Sequence, residues 1–201
     1  MITGIILAAG GARRMGQTKQ LLPLGQKSMV WHVANASCQS RLDKVILVTG
    51  ASADDVAAAV HDFTISIVHN PHWADGQSSS IITGLGAVKP DTDAVIFLLA
   101  DQPLLTTGVI NAMIDAYHIS GKSIICPAHK GRRGNPVLFD WEKWKSALYN
   151  LSGDQGARKI IEANSNCVGH IPVDSAELFF DVDTDDDYRR MRCLFQSVHL
   201  L

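Results

Sequence analysis

The chain has 201 residues, enough for one domain with a substantial core, and the expectation is a single unit over 1–201. Hydrophobic residues make up 46% and charged residues 19%, as in an ordinary globular protein. A formal net charge of −2 supplies no field to draw nucleic acid or an anionic membrane, so any anion site must be local. The four cysteines (Cys38, Cys126, Cys167 and Cys193) are widely spaced without a C-x-x-C, which argues against a zinc ribbon or a thioredoxin motif and for reduced thiols.

Strand-like and helix-like runs alternate along the chain. Gly4 to Ala8 reads as a short buried strand, and Ser28 to Ser40 as a helix with Met29, Val33 and Ala36 at helical spacing. Lys44 to Thr49 is a second strand ended by Gly50. Asp54 to His61 is a helix with Ser52 as its expected N-cap, and Thr64 to Val68 a third strand. Ser78 to Val88 is helical, with Ile81, Leu85 and Val88 on one face. Asp93 to Leu99, apolar on both faces, reads as a central strand. Thr107 to Ser120 is a helix, and Ser123 to Cys126 a fifth strand ended by Pro127. The second half is less regular: a strand at Pro136–Phe139, a helix from Trp141 to Tyr149, a short helix from Gly156 to Asn164, a strand from Val168 to Pro172, and a closing helix from Asp185 to His199. Trp141 and Trp144, three apart, fit packing better than a base-stacking platform.

Such alternation predicts an α/β fold of three layers, a mostly parallel sheet with helices on both faces. In such sheets ligands bind beyond the carboxyl ends of strands. The longest apolar stretch, Ala94 to Ala100, is far short of a membrane span, and the opening strand lacks a convincing cleavage site, so the expected location is cytoplasmic.

Four stretches could carry chemistry. The first strand runs into Gly10-Gly11-Ala12-Arg13-Arg14-Met15-Gly16-Gln17-Thr18-Lys19, a loop of small residues holding three cations. Backbone N–H groups beside cations make a phosphate site, although an ordinary turn that happens to be basic would read the same way on composition. A Walker A loop is excluded, because Gln17-Thr18 follows Gly16 where Lys-Ser/Thr is required, and Gly-x-Gly-x-x-Gly is absent. Asp101 ends a buried strand, where its charge needs a partner: a magnesium ion would serve, and so would the N-terminus of the next helix. Asp181 and Asp183 alternate along Phe180-Asp181-Val182-Asp183-Thr184, so both carboxylates fall on one side of an extended segment, where they need a cation or solvent. Thr184 or Asp185 could cap the closing helix, with Asp186 and Asp187 favoured by its dipole. His69-x-x-His72 flanks Asn70-Pro71 and makes a weak metal pair in a loop.

Leu7-Ala8-Ala9-Gly10-x-x-x-Arg14-Met15-Gly16-x-x-Lys19-x-Leu21-Leu22-Pro23 resembles the signature of the MobA-like nucleotidyltransferases, within them the molybdenum cofactor cytidylyltransferase branch. Ala12 stands where that branch usually has Ser or Gly. Five further segments resemble the family in order, covering nearly the whole chain. The resemblance implies that Leu7, Ala8, Ala9, Gly10 and Gly11 wrap a nucleoside triphosphate whose phosphates Arg14 and Lys19 hold. It implies that Asp101 and Asp183 bind Mg²⁺, with Asp181 supporting, and that Arg14, Lys19 and Asp101 are the catalytic groups. Asn70-Pro71-x-Trp73-x-x-Gly76-Gln77-Ser78-Ser79-Ser80 is implied to lie against the base through Ser79 and above all Ser80. Arg133, Gly134, Asn135, Asp154 and Arg158 are implied to line the pocket of a molybdopterin-type acceptor, with Asn135 where members often have His. The implied reaction is CMP transfer from CTP to the terminal phosphate of molybdopterin, in the service of a molybdenum hydroxylase. Two competing readings stand beside it: a nicotinamide-dependent reductase of an aromatic heterocycle, and a non-enzymatic carrier of the cofactor.

Overall fold

The computed structural model describes residues 1–11 and 16–199. Its main sheet has eight strands. In chain order the strands are β1 (Ile2–Ala8), the small hairpin β2 (Pro23–Leu24) and β3 (Lys27–Ser28), β4 (Lys44–Thr49), β5 (Ser66–His69), β6 (Ala94–Leu99), β7 (Ile124–His129), β8 (Arg132–Arg133), β9 (Val137–Asp140) and β10 (Val168–Pro172). The helices are α1 (Met29–Cys38), α2 (Ala53–Ala58), α3 (Gln77–Leu85), α4 (Thr107–Ser120), α5 (Trp141–Tyr149), α6 (Arg158–Ala163) and α7 (Asp185–His199).

The sheet runs in the order β10-β7-β9-β6-β1-β4-β5, with β8 paired to β7. Period-two alternation sends the two sides of each central strand into separate cores. Ile2, Ile6 and Ala8 of β1, with Ala94, Ile96 and Leu98 of β6, meet Val30 and Val33 of α1, Val56 of α2, and Ile110 and Met113 of α4. Ile5 and Ala9, with Val95 and Phe97, meet Ile81 and Leu85 of α3, Trp144 and Leu148 of α5, and Ile161 of α6. Both faces are therefore covered, and the three-layer expectation is met. Trp144 packs edge-on to Phe139 and donates its indole N–H to Ser123 Oγ at 3.1 Å, which is a packing role. Among the described residues no helix is long and apolar enough to cross a membrane.

Two expectations need correction, the end of the fifth strand and the cap at Ser52. The fifth strand does not stop at Pro127 but continues to His129: Pro127 has no N–H to give, yet its carbonyl accepts from Gly134 N at 3.0 Å. The strand expected at Pro136–Phe139 runs antiparallel, wedged between β6 and β7, with Val137 opposite Phe97. That reversal matters for the site. The start of β9, with the Arg132–Pro136 segment before it, lies at the same edge as the carboxyl end of β6. Ser52 sits at the N-cap position of α2 without capping it, and its hydroxyl instead meets Thr18 Oγ1 at 2.6 Å.

Helix α7 closes the fold. Its Met191 and Phe195 pack with Val182 onto Leu22, Leu24 and Met29, joining the chain's end to the hairpin after β1. The Tyr188 hydroxyl donates to the Pro23 carbonyl. Thr184 and Asp187 cap the helix reciprocally: Asp187 N donates to Thr184 Oγ1 at 3.2 Å, and Asp187 Oδ2 accepts from Thr184 N at 2.9 Å and Thr184 Oγ1 at 2.7 Å.

Candidate active site

Strand β1 connects onward to β4 on one side, while β6, on the other side of β1, leads away towards β9 and β7. The crevice between the carboxyl ends of β1 and β6 is thus the topological switch point, where such sheets take ligands. The Gly10 loop leaves from β1 and Asp101 from β6. The Asp181–Asp183 segment arrives beside them because α7 is pinned to the hairpin, and Val182 N reaches the Asp101 carbonyl at 3.4 Å.

These elements converge on the Lys19 ammonium. Lys19 Nζ donates to Asp101 Oδ2 at 2.5 Å and to Asp183 Oδ1 at 2.8 Å. Burial works against the lysine's charge, but the two carboxylates outweigh it and hold the pKa above the ordinary lysine value. Asp181 lies one step away, reached by solvent through the cleft but crowded by protein. Loss of solvent, then the charge of Asp101, pushes its pKa up to about 6, against the pull of the 2.6 Å bond from Gln102 Nε2. Two carboxylate oxygens within 2.8 Å of one cationic centre suit a hard divalent ion, which takes one or two carboxylates and fills its remaining positions with phosphate oxygens and water. Among the described residues no group of three or more His, Cys, Asp or Glu is placed to hold a metal; His72 Nδ1 lies 3.8 Å from Asp75.

Two cavities meet at this point. One, of about 250 Å³, is lined by Leu7, Ala8, Ala9, Gly10, Gly11, Lys19, Ser80 and Asp101, together with Gln20, Trp73 and Gln77. The other, of about 890 Å³, is lined by Arg132, Arg133, Gly134, Asn135, Asp154, Arg158, Asp181 and Asp183. Leu7, Lys19, Gln77, Leu99, Asp101 and Asp154 belong to both walls, so the seam between the cavities runs past the lysine and its carboxylates. Asn70 Nδ2 fastens two of the three serines of the Ser78–Ser80 run, donating to Ser79 Oγ at 2.9 Å and Ser80 Oγ at 3.0 Å. Ser80 lines the smaller cavity. The Ser79 hydroxyl turns to the backbone carbonyls of His72 and Gly76, both at 2.8 Å, and Ser79 is not among the lining residues. Beside the larger cavity Glu162 Oε1 accepts from Arg158 Nε at 2.8 Å and Arg133 Nη2 at 3.3 Å, which gathers the two guanidinium groups. Arg13 and Arg14 lie outside the described residues.

Sequence reasoning passed over Gln20, and gave Trp73 and Gln77 only as members of a segment implied to lie against the base. Gln20 is buried, with its amide turned back onto the loop. Trp73 lies against Gly11 so closely that a Cβ there would meet its ring at 2.5 Å. Gln77 lines both cavities. The signal for Trp73 was available, since an aromatic side chain beside a glycine loop at strand ends is a wall in waiting. A lone glutamine in a polar loop gives none.

A cavity for each of two ligands, meeting at a charged seam, is the architecture of a two-substrate transferase. The chain belongs to the MobA-like NTP transferase domain family, which matches residues 4–168, and is an enzyme of the nucleotidyltransferase class. It is 27% identical over 188 residues to the molybdenum cofactor cytidylyltransferase of Escherichia coli, covering 92% of each chain. It is 29% identical over 198 residues to nicotine blue oxidoreductase of Paenarthrobacter nicotinovorans, covering 94% of this chain and 96% of that one. It is 30% identical over 201 residues to the purine catabolism protein PucB of Bacillus subtilis, covering 95% and 96%. Among solved structures, Rv0371c of Mycobacterium tuberculosis superposes with a TM-score of 0.85 at 30% identity, covering 95% of this chain and 97% of that one. A second structure of that protein is a complex with manganese, with a TM-score of 0.78 at 29% identity, covering 94% and 97%.

Proposed function

We propose that this enzyme transfers CMP from CTP to the terminal phosphate of a molybdopterin-type acceptor and releases pyrophosphate. The observation that carries the reading is the seam: Lys19 and Asp101 stand in the walls of both cavities, and Asp183 meets Lys19 from the larger one. The nucleotide occupies the smaller cavity, with its phosphates along Ala8–Gly11 and against Lys19 and Arg14, and its base towards Ser80 and Trp73, while Ser79 supports that wall through its bonds to the backbone. The acceptor occupies the larger one, its phosphate drawn by Arg133 and Arg158, with Gly134, Asn135 and Asp154 along its length.

Asp101 and Asp183 would hold a divalent cation, Mg²⁺ in this reading. When bound it supplies neutralisation of the triphosphate's charge. The chain's own groups do the rest. Their walls bring the acceptor's phosphate oxygen in line with the α-phosphorus, a P–O bond forms, the bond to the β-phosphate bridge breaks, and pyrophosphate leaves with the electron pair. The attacking oxygen is already ionised, so no side chain needs to take a proton. Lys19 offsets charge growing on the leaving pyrophosphate.

The likeness to the Escherichia coli cytidylyltransferase supports the choice of CTP and of the acceptor. The likeness to nicotine blue oxidoreductase favours a second reading, nicotinamide-dependent reduction of an aromatic heterocycle. Pyrophosphate release, measured with magnesium, molybdenum-loaded molybdopterin and each of CTP, GTP, ATP and UTP, separates the two. Release with CTP alone is expected. No release with any nucleotide, coupled to loss of NADH absorbance on a heterocyclic substrate, would replace transfer by reduction. Delivery of the product to a molybdenum hydroxylase belongs to the same proposal.

A further inference from the structure

Gln20 is 2% exposed, and its side-chain amide nitrogen is turned onto the backbone after the first strand. Its Nε2 donates to Ala8 O at 2.8 Å and to Gly10 O at 3.1 Å. Both partners are carbonyls, which only accept, so the amide nitrogen must be the atom that faces them, with one N–H for each. Residue 20 thereby ties the turn at Lys19–Leu21 to the chain at Ala8 and Gly10.

The neighbours of that amide give the contact its consequence. Ala8, Gly10 and Gln20 itself all line the smaller cavity. Lys19 directly precedes Gln20 in a single 3₁₀ turn, Lys19–Leu21, held by Leu21 N donating to Thr18 O at 3.0 Å and Leu22 N donating to Lys19 O at 3.0 Å. A shift of the Gln20 amide would move that whole turn, and the Lys19 ammonium with it. The same two hydrogen bonds also fix the peptide planes at Ala8 and Gly10, and hence the direction in which the loop's N–H groups point.

We propose that Gln20 is a positioning residue for the triphosphate, a clasp that holds the Ala8–Gly11 backbone to the Lys19 turn so that the N–H groups of Ala9 and Gly11 and the Lys19 cation face one ligand together. This rests on the nucleotide assignment of the smaller cavity. Gln20 acts through Ala8, Gly10 and Lys19 and does not itself need to touch the phosphates. The role predicts a split in kinetics: a loosened loop binds nucleotide poorly but leaves the acceptor's cavity as it was.

The test is nucleotide binding by calorimetry with magnesium and CTP, GTP, ATP or UTP, beside steady-state kinetics and thermal unfolding, in wild type, Gln20→Met and Gln20→Asn. Methionine keeps the length and loses both donors, while asparagine keeps the amide but draws it back by one methylene, so at least one folded variant is expected. Both should weaken binding of the preferred nucleotide about tenfold and raise its KM to match, while the acceptor's KM stays within about twofold. A folded Gln20→Met with unchanged nucleotide affinity and only a lowered Tm would overturn the proposal and leave Gln20 a packing residue. Wild-type protein that binds none of the four nucleotides would overturn the nucleotide assignment itself, and this role with it.

Discussion

At the scale of single residues, Lys19 is the cation that joins Asp101 to Asp183. A pair of unit charges about 4 Å apart near a protein surface interacts by roughly 4 kcal/mol before desolvation. Lys19→Met should therefore cut turnover on the order of a hundredfold or more, with the fold unchanged by circular dichroism. The loss should not be recovered by saturating nucleotide, because the lysine opposes charge that grows as pyrophosphate departs. A glycine makes the second test at this scale. A Cβ at Gly134 would run into the Phe179 ring, so Gly134→Ala must displace an aromatic side chain packed against the main core. A stability loss of about 1–3 kcal/mol in denaturant titration is expected, with a raised acceptor KM because Gly134 lines that cavity. An unchanged midpoint would mean that the ring yields at no cost.

At the scale of elements, α7 decides whether the carboxylates meet. Its cap is a reciprocal pair, and the Thr184 hydroxyl bond is the largest influence holding the Asp187 pKa below the ordinary carboxylate value. A carboxylate with a depressed folded pKa stabilises fully above its unfolded value, near 3.8, and loses that contribution as pH falls through the lower folded one. Thr184→Ala should cost about 1 kcal/mol at neutral pH. The gap between variant and wild-type Tm should narrow in strongly acidic solution without closing, because the bond from Asp187 N to the Thr184 hydroxyl does not depend on the carboxylate's charge; a gap that stayed constant with pH would show that the Asp187 charge adds nothing to the cap. Much at this scale was legible beforehand. The bounds of β4, β10, α4, α5 and α7 follow from apolar periodicity and cap residues. What the sequence hid was direction. Val137–Asp140 has the same composition whether it runs with or against β6, and only its pairing between β6 and β7 sets it antiparallel. The misjudged stop at Pro127 has a related cause: a proline lacks a donor, but a neighbour that needs only an acceptor can still pair with it.

At the scale of the whole molecule, the topology gathers what lies far apart in sequence. Residues 19, 101 and 183 are joined by direct hydrogen bonds because one loop follows β1, one follows β6, and the last helix folds back over the hairpin. Asp101 and Asp183 stood out in the sequence as carboxylates needing a partner. That both would lean on Lys19 did not, because a long-range ion pair leaves no local pattern. The antiparallel β9 then delivers Arg133 and Asn135 to the same edge, so that a second cavity opens beside the first. The central claim is that transfer takes place at the seam between them. CTP labelled at its α-phosphate, incubated with magnesium and molybdenum-loaded molybdopterin, tests it most directly when wild type is compared with Asp101→Ala. The account predicts label on the acceptor in wild type, and almost none in a variant that remains folded. Label transferred at the wild-type rate by folded Asp101→Ala would contradict it.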